Sequence, residues 1–263
     1  MITSVSNSRV KRVAALNTRA KMRKQEGQYV VEGVRMFLEA PGEEIQEAFV
    51  AESFSHERCM EKLDAMPWEC VSDEVFRKMS ATETPQGILC VMRMKHHYLE
   101  EMLKRENPLI MVLEDIQDPG NLGTILRTAE GAGIDGVIAS RESADLYNPK
   151  TIRSTMGSIY RMPFVYVPSL QEAADRLRAE GIRLYAADLS GEKWYDGEDY
   201  TGGSALLIGN EGNGLRPETA ALADARIRIP MAGRVESLNA AMASGILMYE
   251  ASRQRRSAGG AFL

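Results

Sequence analysis

The chain has 263 residues, a length that suits one large or two modest domains. Hydrophobic residues make up 44% of it, yet no apolar run approaches the roughly 18 residues that span a bilayer, so a membrane-spanning segment is excluded. The first residues lack the apolar core of a secretory signal and the three cysteines form no CxxC pair, which leads us to expect a reduced, cytoplasmic protein.

In chain order, the hydrophobic pattern first predicts a small α/β domain over residues 1–95. Helices alternate there with short apolar strands, and Asn7 and Ser72 stand at helix-capping positions. The predicted helices are 9–16, 33–40, 56–65 and 73–79, and the predicted strands are 29–31, 45–50 and 88–92. A charged stretch, 96–107, is predicted as a linker with a helical turn or two.

Charge is unevenly placed along the chain. The net charge of −5, from 32 cationic and 37 acidic residues, by itself disfavours a nucleic-acid partner. A basic arm over the first 25 residues nevertheless contains no acid and could bind phosphates. A solvated helix face explains the same pattern equally well. The cations of this arm are Arg9, Lys11, Arg12, Arg19, Lys21, Arg23 and Lys24.

Residues 108–263 predict a second α/β domain. Strands at 109–113, 136–138, 164–167, 183–187, 205–208 and 226–229 are separated by helices at 121–131, 149–156, 171–180, 217–223 and 237–253. Such alternation predicts a mostly parallel sheet covered by helices on both faces. Ligands of such sheets bind beyond the carboxyl ends of the strands, and three glycine- and asparagine-rich loops follow strands here.

The first of these loops is D-P-G-N-L-G-T-I-L-R at 118–127. Leu122, Ile125 and Leu126 form one helical stripe, so Asn121 lies at the start of a helix and Arg127 points away from the packed face. The plain interpretation is a helix cap and a surface charge. A guanidinium beside a free helix N-terminus is also a credible phosphate-binding group.

The second loop is I-G-N-E-G-N-G-L at 208–215, after a buried strand. Its glycine spacing matches neither GxGxxG nor the phosphate-binding P-loop. Glycines allow the backbone to approach a flat ligand closely. The carboxylate of Glu211 favours a neutral or cationic ligand, because it repels anions. A tight turn between strand and helix is the alternative interpretation.

The third motif combines I-R-I-P-M at 227–231 with E-S-L-N-A-A-M-A at 236–243. Ser237 is a candidate helix cap. The following helix is apolar almost all round, so we expect it to be buried inside the domain or against a second subunit. The three histidines, His56, His96 and His97, all lie earlier in the chain, which excludes a histidine-based triad or metal site here.

Together and in this order, the three motifs resemble the SpoU/TrmH family of RNA 2′-O-methyltransferases in the SPOUT superfamily. The resemblance covers about residues 108–253. Two further motifs, E-G-x-R at 32–35 and T-P-Q-G at 84–87, resemble the family's N-terminal RNA-binding domain. None of the three signature motifs departs from the family pattern.

The resemblance implies an α/β fold with a C-terminal trefoil knot, S-adenosylmethionine as methyl donor, no metal, and a homodimer formed through the knotted domain. It implies cofactor contacts for Leu189, Gly209, Asn210, Ile229, Met231 and Leu238. Catalytic or substrate-positioning roles are implied for Asn121, Arg127, Glu211, Ser237 and Asn239, and Arg35 joins the expected RNA-binding residues. Because a guanidinium stays protonated at neutral pH, we expect Arg127 to act as an electrostatic clamp and not as a base.

The implied reaction is methyl transfer to a ribose 2′-hydroxyl, and the N-terminal domain favours 23S ribosomal RNA as substrate. A transfer-RNA ribose methyltransferase of the same family is one alternative. A non-catalytic RNA-binding or ribosome assembly factor is another. A nucleotide-dependent dehydrogenase is a third, and the missing GxGxxG argues against it.

Overall fold

The computed structural model describes residues 1–259, which divide into two compact units. The first unit contains residues 1–95 together with 145–160, and the second contains residues 96–144 and the chain from 161 onward. No helix among the described residues is both long and apolar enough to cross a membrane.

Eleven α-helices and eleven strands are present among the described residues, with three short 3₁₀ helices between them. The helices are α1 Ser8–Thr18, α2 Ala20–Glu26, α3 Val34–Glu39, α4 Glu57–Leu63, α5 Asp73–Met79, α6 Leu99–Met102, α7 Pro119–Ala132, α8 Pro149–Thr155, α9 Leu170–Ala179, α10 Pro217–Ala220 and α11 Ala240–Ser257. The strands are β1 Gln28–Glu32, β2 Ile45–Ala51, β3 Trp68–Val71, β4 Ile88–Arg93, β5 Leu109–Leu113, β6 Gly136–Ser140, β7 Phe164–Val167, β8 Arg183–Ala187, β9 Lys193–Trp194, β10 Ser204–Ile208 and β11 Ala225–Arg228.

The first unit is built on a four-stranded sheet in the order β1-β4-β2-β3. Strand β4 runs antiparallel to both β1 and β2, whereas β2 and β3 are parallel. Helices α1 and α5 cover one face, and their apolar residues share a core with β2 and β4. The predicted caps are confirmed, since the Asn7 and Ser72 side chains accept backbone N–H groups of α1 and α5.

Residues 145–160 complete this first unit from a distant part of the chain. The Tyr160 hydroxyl donates to the Met36 carbonyl at 2.9 Å, and the ring of Tyr147 lies 4.6 Å from that of Tyr29. A division of the chain into consecutive segments therefore does not include residues 145–160 in the first unit.

The second unit is built on a seven-stranded sheet in the order β7-β6-β5-β10-β8-β11-β9. Every pairing in it is parallel, which confirms the predicted parallel α/β architecture. All residues of the central strands β5 and β10 are buried, as expected for a sheet covered on both faces. The trefoil knot implied by the resemblance stays a prediction.

Several local expectations were wrong. The last helix begins at Ala240 and is capped by Asn239, not by Ser237. The cap of α7 is Asp118, followed by Pro119 in the first turn, and not Asn121. Three elements were not predicted, namely α2, β3 and β9.

Candidate active site at the carboxyl ends of the parallel strands

The three motif loops meet at one edge of the seven-stranded sheet. They follow β5, β10 and β11, which lie within four neighbouring positions of the sheet. An open cavity of about 560 Å³ lies between the loops. Four of the five predicted catalytic residues line it, namely Asn121, Glu211, Ser237 and Asn239.

The Glu211 carboxylate joins the second motif loop to the first. Its Oε1 accepts the Asp118 backbone N–H and the Asn121 side-chain N–H, both at 3.0 Å, and its Oε2 accepts the Gln117 backbone N–H at 3.1 Å. Both carboxylate oxygens are therefore occupied by donors from the start of α7. Glu211 fixes the geometry of the loops, which leaves it poorly placed to accept a proton from a substrate.

The electrostatics of Glu211 support the same conclusion. Partial burial by itself raises the pKa of this carboxyl, but the hydrogen bonds from the Asn121 side chain and from the backbone of Gln117 and Asp118 outweigh it. The pKa of Glu211 consequently lies below its ordinary value. An ionised carboxylate with a lowered pKa is a weak base.

A chain of hydrogen bonds determines how the two motif asparagines face the cavity. The Asn239 Oδ1 caps α11 by accepting the N–H groups of Ala241 and Met242, so its amide nitrogen is directed outward. That nitrogen donates to Asn121 Oδ1 at 3.0 Å, and Asn121 in turn donates to Glu211. An amide nitrogen carries two hydrogens. Each asparagine therefore keeps one N–H without an acceptor in the described part of the chain.

A second, narrower cavity of about 310 Å³ adjoins the first and shares five lining residues with it. It is enclosed by the loops after β8, β10 and β11 and by the start of α11. All six predicted cofactor residues line it, namely Leu189, Gly209, Asn210, Ile229, Met231 and Leu238.

The loop after β10 is folded tightly, and this explains its glycines. Asn210 and Gly214 exchange two backbone hydrogen bonds, and Gly214 has a positive φ of 68°. A Cβ on Gly209 would lie 2.1 Å from the Gly214 carbonyl carbon and the Leu215 nitrogen, so no larger residue fits there. The Asn210 side chain anchors the loop by donating to the Asp115 carbonyl at 2.8 Å.

Arg127 is the predicted catalytic residue that the structure does not bring into either cavity. It lies on α7, two turns beyond Asn121, and is exposed. It has no hydrogen-bond or ion-pair partner within residues 1–259. The lining of the open cavity contains the carboxylates of Asp118 and Glu211 and no cation.

The predicted RNA-binding cations fall into two groups. Arg9, Arg12, Arg23 and Arg35 form ion pairs inside the first unit, with Glu47 and Glu69, Glu26, Asp145 and Glu39 respectively. Arg23 is only 4% exposed and also donates to the Leu16 carbonyl, so its prediction as an RNA-binding residue was wrong. Lys11, Arg19, Lys21 and Lys24 are exposed and have no such partner within the described residues.

Sequence reasoning missed two residues of the site, Gln117 and Asp118, whose backbone N–H groups hold Glu211. The signal for Asp118 was available, because an aspartate directly before a proline is typical of a helix start. Nothing in the sequence singled out Gln117. No group of three potential metal ligands exists among the residues the structure describes.

Comparison with known proteins identifies both parts of the chain. Residues 108–249 match the SpoU rRNA Methylase family, which is more than half of the chain. Residues 7–90 match the MRM3-like substrate binding domain.

Full-length relatives exist among characterised proteins and solved structures. The 23S rRNA (guanosine(2553)-2′-O)-methyltransferase RlmP of Bacillus subtilis is 34% identical, over 94% of this chain and 97% of that protein. The structure of the SpoU methyltransferase AviRb from Streptomyces viridochromogenes in complex with AdoMet superimposes with a TM-score of 0.87 at 32% identity, over 95% of this chain and 99% of that chain. The AdoMet-bound rRNA methyltransferase from Sinorhizobium meliloti gives a TM-score of 0.85 at 31% identity, over 96% of this chain and 97% of the other. With the motif loops in one site and matches along nearly its whole length, the chain belongs to the SpoU rRNA methylase family.

Proposed function

We propose that this protein transfers a methyl group from S-adenosylmethionine to a ribose 2′-hydroxyl of 23S ribosomal RNA. The observation that carries the proposal is the pair of adjoining cavities, one narrow and one open, formed by the three family motifs. A cofactor in the narrow cavity would present its methyl group to a nucleotide in the open one. Ribosomal RNA as substrate places the protein in the cytoplasm.

The narrow cavity fits the proposed cofactor. Its volume lies at the lower end of the range for ligand pockets, roughly 300–1,000 Å³. The missing Cβ at Gly209 and the apolar side chains of Leu189, Ile229 and Leu238 suit close contact with a flat, uncharged ring. When bound, S-adenosylmethionine supplies an electrophilic methyl group on a sulfonium.

The motif residues then orient the nucleophile. The free N–H groups of Asn121 and Asn239 are positioned to donate to the ribose oxygen and to stabilise negative charge that develops on it. The hydroxyl proton leaves to water of the open cavity, since neither Glu211 nor Arg127 serves as a base. Glu211 serves as a positioning residue, because its hydrogen bonds keep Asn121 in the donating orientation. Ser237 lines both cavities and contributes a hydroxyl at their junction.

The cation that the open cavity lacks is supplied by Arg127 of a second copy of the chain. An RNA phosphate next to the carboxylates of Asp118 and Glu211 requires a counter-charge. Arg127 is exposed and unpaired on α7, which packs along α11. The Thr128 methyl group lies beside Gly245 of α11, which places Arg127 near the first third of that helix.

The surface for this second copy is the outer face of α11. Met242, Gly245, Ile246 and Tyr249 follow one another at helical spacing, and Met242 and Tyr249 are 61% and 55% exposed. An exposed apolar stripe of this kind on one face of a helix is typical of a subunit interface. The dimer through the second domain is therefore part of the proposal.

Three variants test the dimer and the role of Arg127. Met242→Glu should convert a dimer to a monomer in light-scattering measurements. Arg127→Ala and Asn239→Asp should each abolish methyl transfer, with cofactor binding largely retained for Arg127→Ala. Mixing these two inactive variants should restore part of the activity, because one of the two sites in a mixed dimer is intact. No recovery in mixed dimers of confirmed composition would contradict a contribution across the interface.

Methyl transfer itself is tested with labelled S-adenosylmethionine on three substrates, namely 23S rRNA, 16S rRNA and transfer RNA. We expect label in 23S rRNA alone, as a 2′-O-methyl group mapped by resistance to alkaline cleavage. Label confined to transfer RNA would establish the alternative substrate. RNA binding without transfer to any RNA would establish a non-catalytic binding factor.

A further inference from the structure

A groove between α1 and α5 in the first unit is strongly basic. It encloses an open space of about 840 Å³, and its lining contains four cations, Lys11, Arg12, Arg19 and Lys78, and no acid among the described residues. We call it the α1–α5 groove. The chain as a whole has a net charge of −5, so a groove lined by cations without any carboxylate is unusual in it. The positive potential of such a groove favours binding of a polyanion.

Three of the four cations are available to a ligand. Arg12 is held by an ion pair with Glu26 at 2.7 Å. Lys11, Arg19 and Lys78 are exposed, and none of their side chains has a hydrogen-bond or ion-pair partner in residues 1–259. Lys78 was not predicted from the sequence, because it lies on α5, far from the basic arm.

The shape of the groove suits an extended chain. Lys11 and Arg19 are eight residues apart along α1, which corresponds to roughly 12 Å at about 1.5 Å per helical residue. Ala14 and Ala15 lie between them and form part of the lining without filling the space. Several successive phosphates of one strand therefore fit between the terminal cations.

The E-G-x-R and T-P-Q-G motifs hold the loop at one end of this groove. The Glu32 carboxylate accepts the Ser80 hydroxyl at 2.8 Å, the Thr82 hydroxyl at 2.8 Å and the Ala81 N–H at 3.2 Å. The Gln86 side chain accepts the Val34 N–H at 2.9 Å. Ser80 and Ala81 line the groove, so Glu32 is a positioning residue for its rim.

We propose that the α1–α5 groove binds the phosphodiester backbone of RNA through Lys11, Arg19 and Lys78, without regard to base sequence. The inference rests on the proposed function, which supplies RNA as the substrate. No aromatic ring lines the groove among the described residues, so it offers phosphate contacts and no surface on which bases stack. Selection of the target nucleotide must then occur elsewhere in the protein.

The test compares two double variants with equal loss of charge. Lys11→Ala with Lys78→Ala removes two groove cations, whereas Arg58→Ala with Arg77→Ala removes two exposed, unpaired cations of the same unit outside the groove. Affinity for an rRNA fragment is measured by fluorescence anisotropy over a range of salt concentrations. Each lost phosphate contact lowers the slope of log Kd against log salt by about 0.7–0.9. We expect a decrease of about 1.5 for the groove variant and less than about 0.5 for the control.

The outcomes separate this inference from the proposed function. Equal slopes for the two double variants, in protein that still methylates RNA, would overturn the groove and leave the activity standing. A wild-type protein that methylates no RNA would instead overturn the proposed function. Slope changes that appear with the native RNA and vanish with a scrambled one would refute sequence-independent binding. Glu32→Gln should weaken binding at an unchanged slope, since Glu32 contacts no phosphate, and a changed slope would contradict its positioning role.

Discussion

Replacing Glu211 by glutamine tests whether this carboxylate orders the site. A glutamine oxygen can still accept the N–H groups of Asp118 and Asn121, but its amide group would face the Gln117 N–H, donor against donor. One hydrogen bond is lost and two lose their charge assistance. Hydrogen bonds to charged groups contribute about 1.5–3 kcal/mol each, and neutral ones about 0.5–1.5 kcal/mol.

The resulting cost is about 2 kcal/mol, because the side chain is partly exposed and water replaces some of what is lost. At about 1.4 kcal/mol per factor of ten, this cost lowers the fraction of molecules with a correctly aligned site by at most about thirtyfold. We therefore expect Glu211→Gln to slow single-turnover methyl transfer by about 10- to 30-fold, with a smaller change in the cofactor dissociation constant measured by calorimetry.

Glu218→Gln is the matched control. This carboxylate follows the same loop, but it is exposed, and its one ion pair, to Arg216, is long at 3.8 Å. It should keep the wild-type rate. A Glu211→Gln rate within threefold of wild type, in folded protein, would refute the positioning role. A loss confined to cofactor affinity would place the effect in the narrow cavity instead.

Three further predictions concern capping, burial and pH. Asn239→Asp should keep the α11 cap, and so the free energy of unfolding within about 0.5 kcal/mol, yet abolish methyl transfer because its donor to Asn121 is gone. Arg23→Ala should lower the free energy of unfolding in urea by about 3 kcal/mol, because it removes a buried guanidinium together with its ion pair to Asp145 and its hydrogen bond to the Leu16 carbonyl. The lowered pKa of Glu211 means that its hydrogen bonds stabilise the protein above its ordinary pKa of about 4.5 and are lost as the pH falls through the folded-state pKa. Urea midpoints of wild type and Glu211→Gln should therefore differ near neutral pH and converge as the pH falls below the ordinary pKa and through the folded-state pKa; a constant difference across that range would contradict the assignment.

Sequence reasoning worked where local chemistry and the parallel sheet act together. Three motif loops that follow strands of one parallel sheet must emerge at the same edge, so the meeting of Asn121, Glu211 and Asn239 could be anticipated before any coordinates. The family resemblance likewise predicted residues that line the narrow cavity, because their loops emerge at the same edge of the sheet.

The missed elements lacked the periodic apolar pattern on which such reasoning depends. Helix α2 is A-K-M-R-K-Q-E, and its one buried residue is Arg23. Strand β9 has two exposed residues at the sheet edge. The burial of Arg23 depends on Asp145, 122 positions along the chain, and no local pattern reports a pairing at that distance.

The placement of Arg127 could be predicted from the sequence only in part. Its position on the outer side of α7 was correctly read from the helical stripe, but a single chain leaves it outside the cavity that its predicted role requires. The sequence predicted both a homodimer and a role for Arg127, but a position in one chain does not show which copy's site a side chain enters, so the two predictions could not be connected.

The return of residues 145–160 into the first unit bears on how the protein is made. The partners of Arg23 and Tyr29 are Asp145 and Tyr147 of that segment, so the first unit lacks them until the ribosome has synthesised at least 147 residues, and the segment is complete only at residue 160. A nascent chain that has released only its first 95 residues carries an incomplete core, and a fragment cut at that point should bind hydrophobic dyes and be degraded quickly. Completion of the first unit is thus coupled in time to synthesis of β5 and β6, the first strands of the second unit.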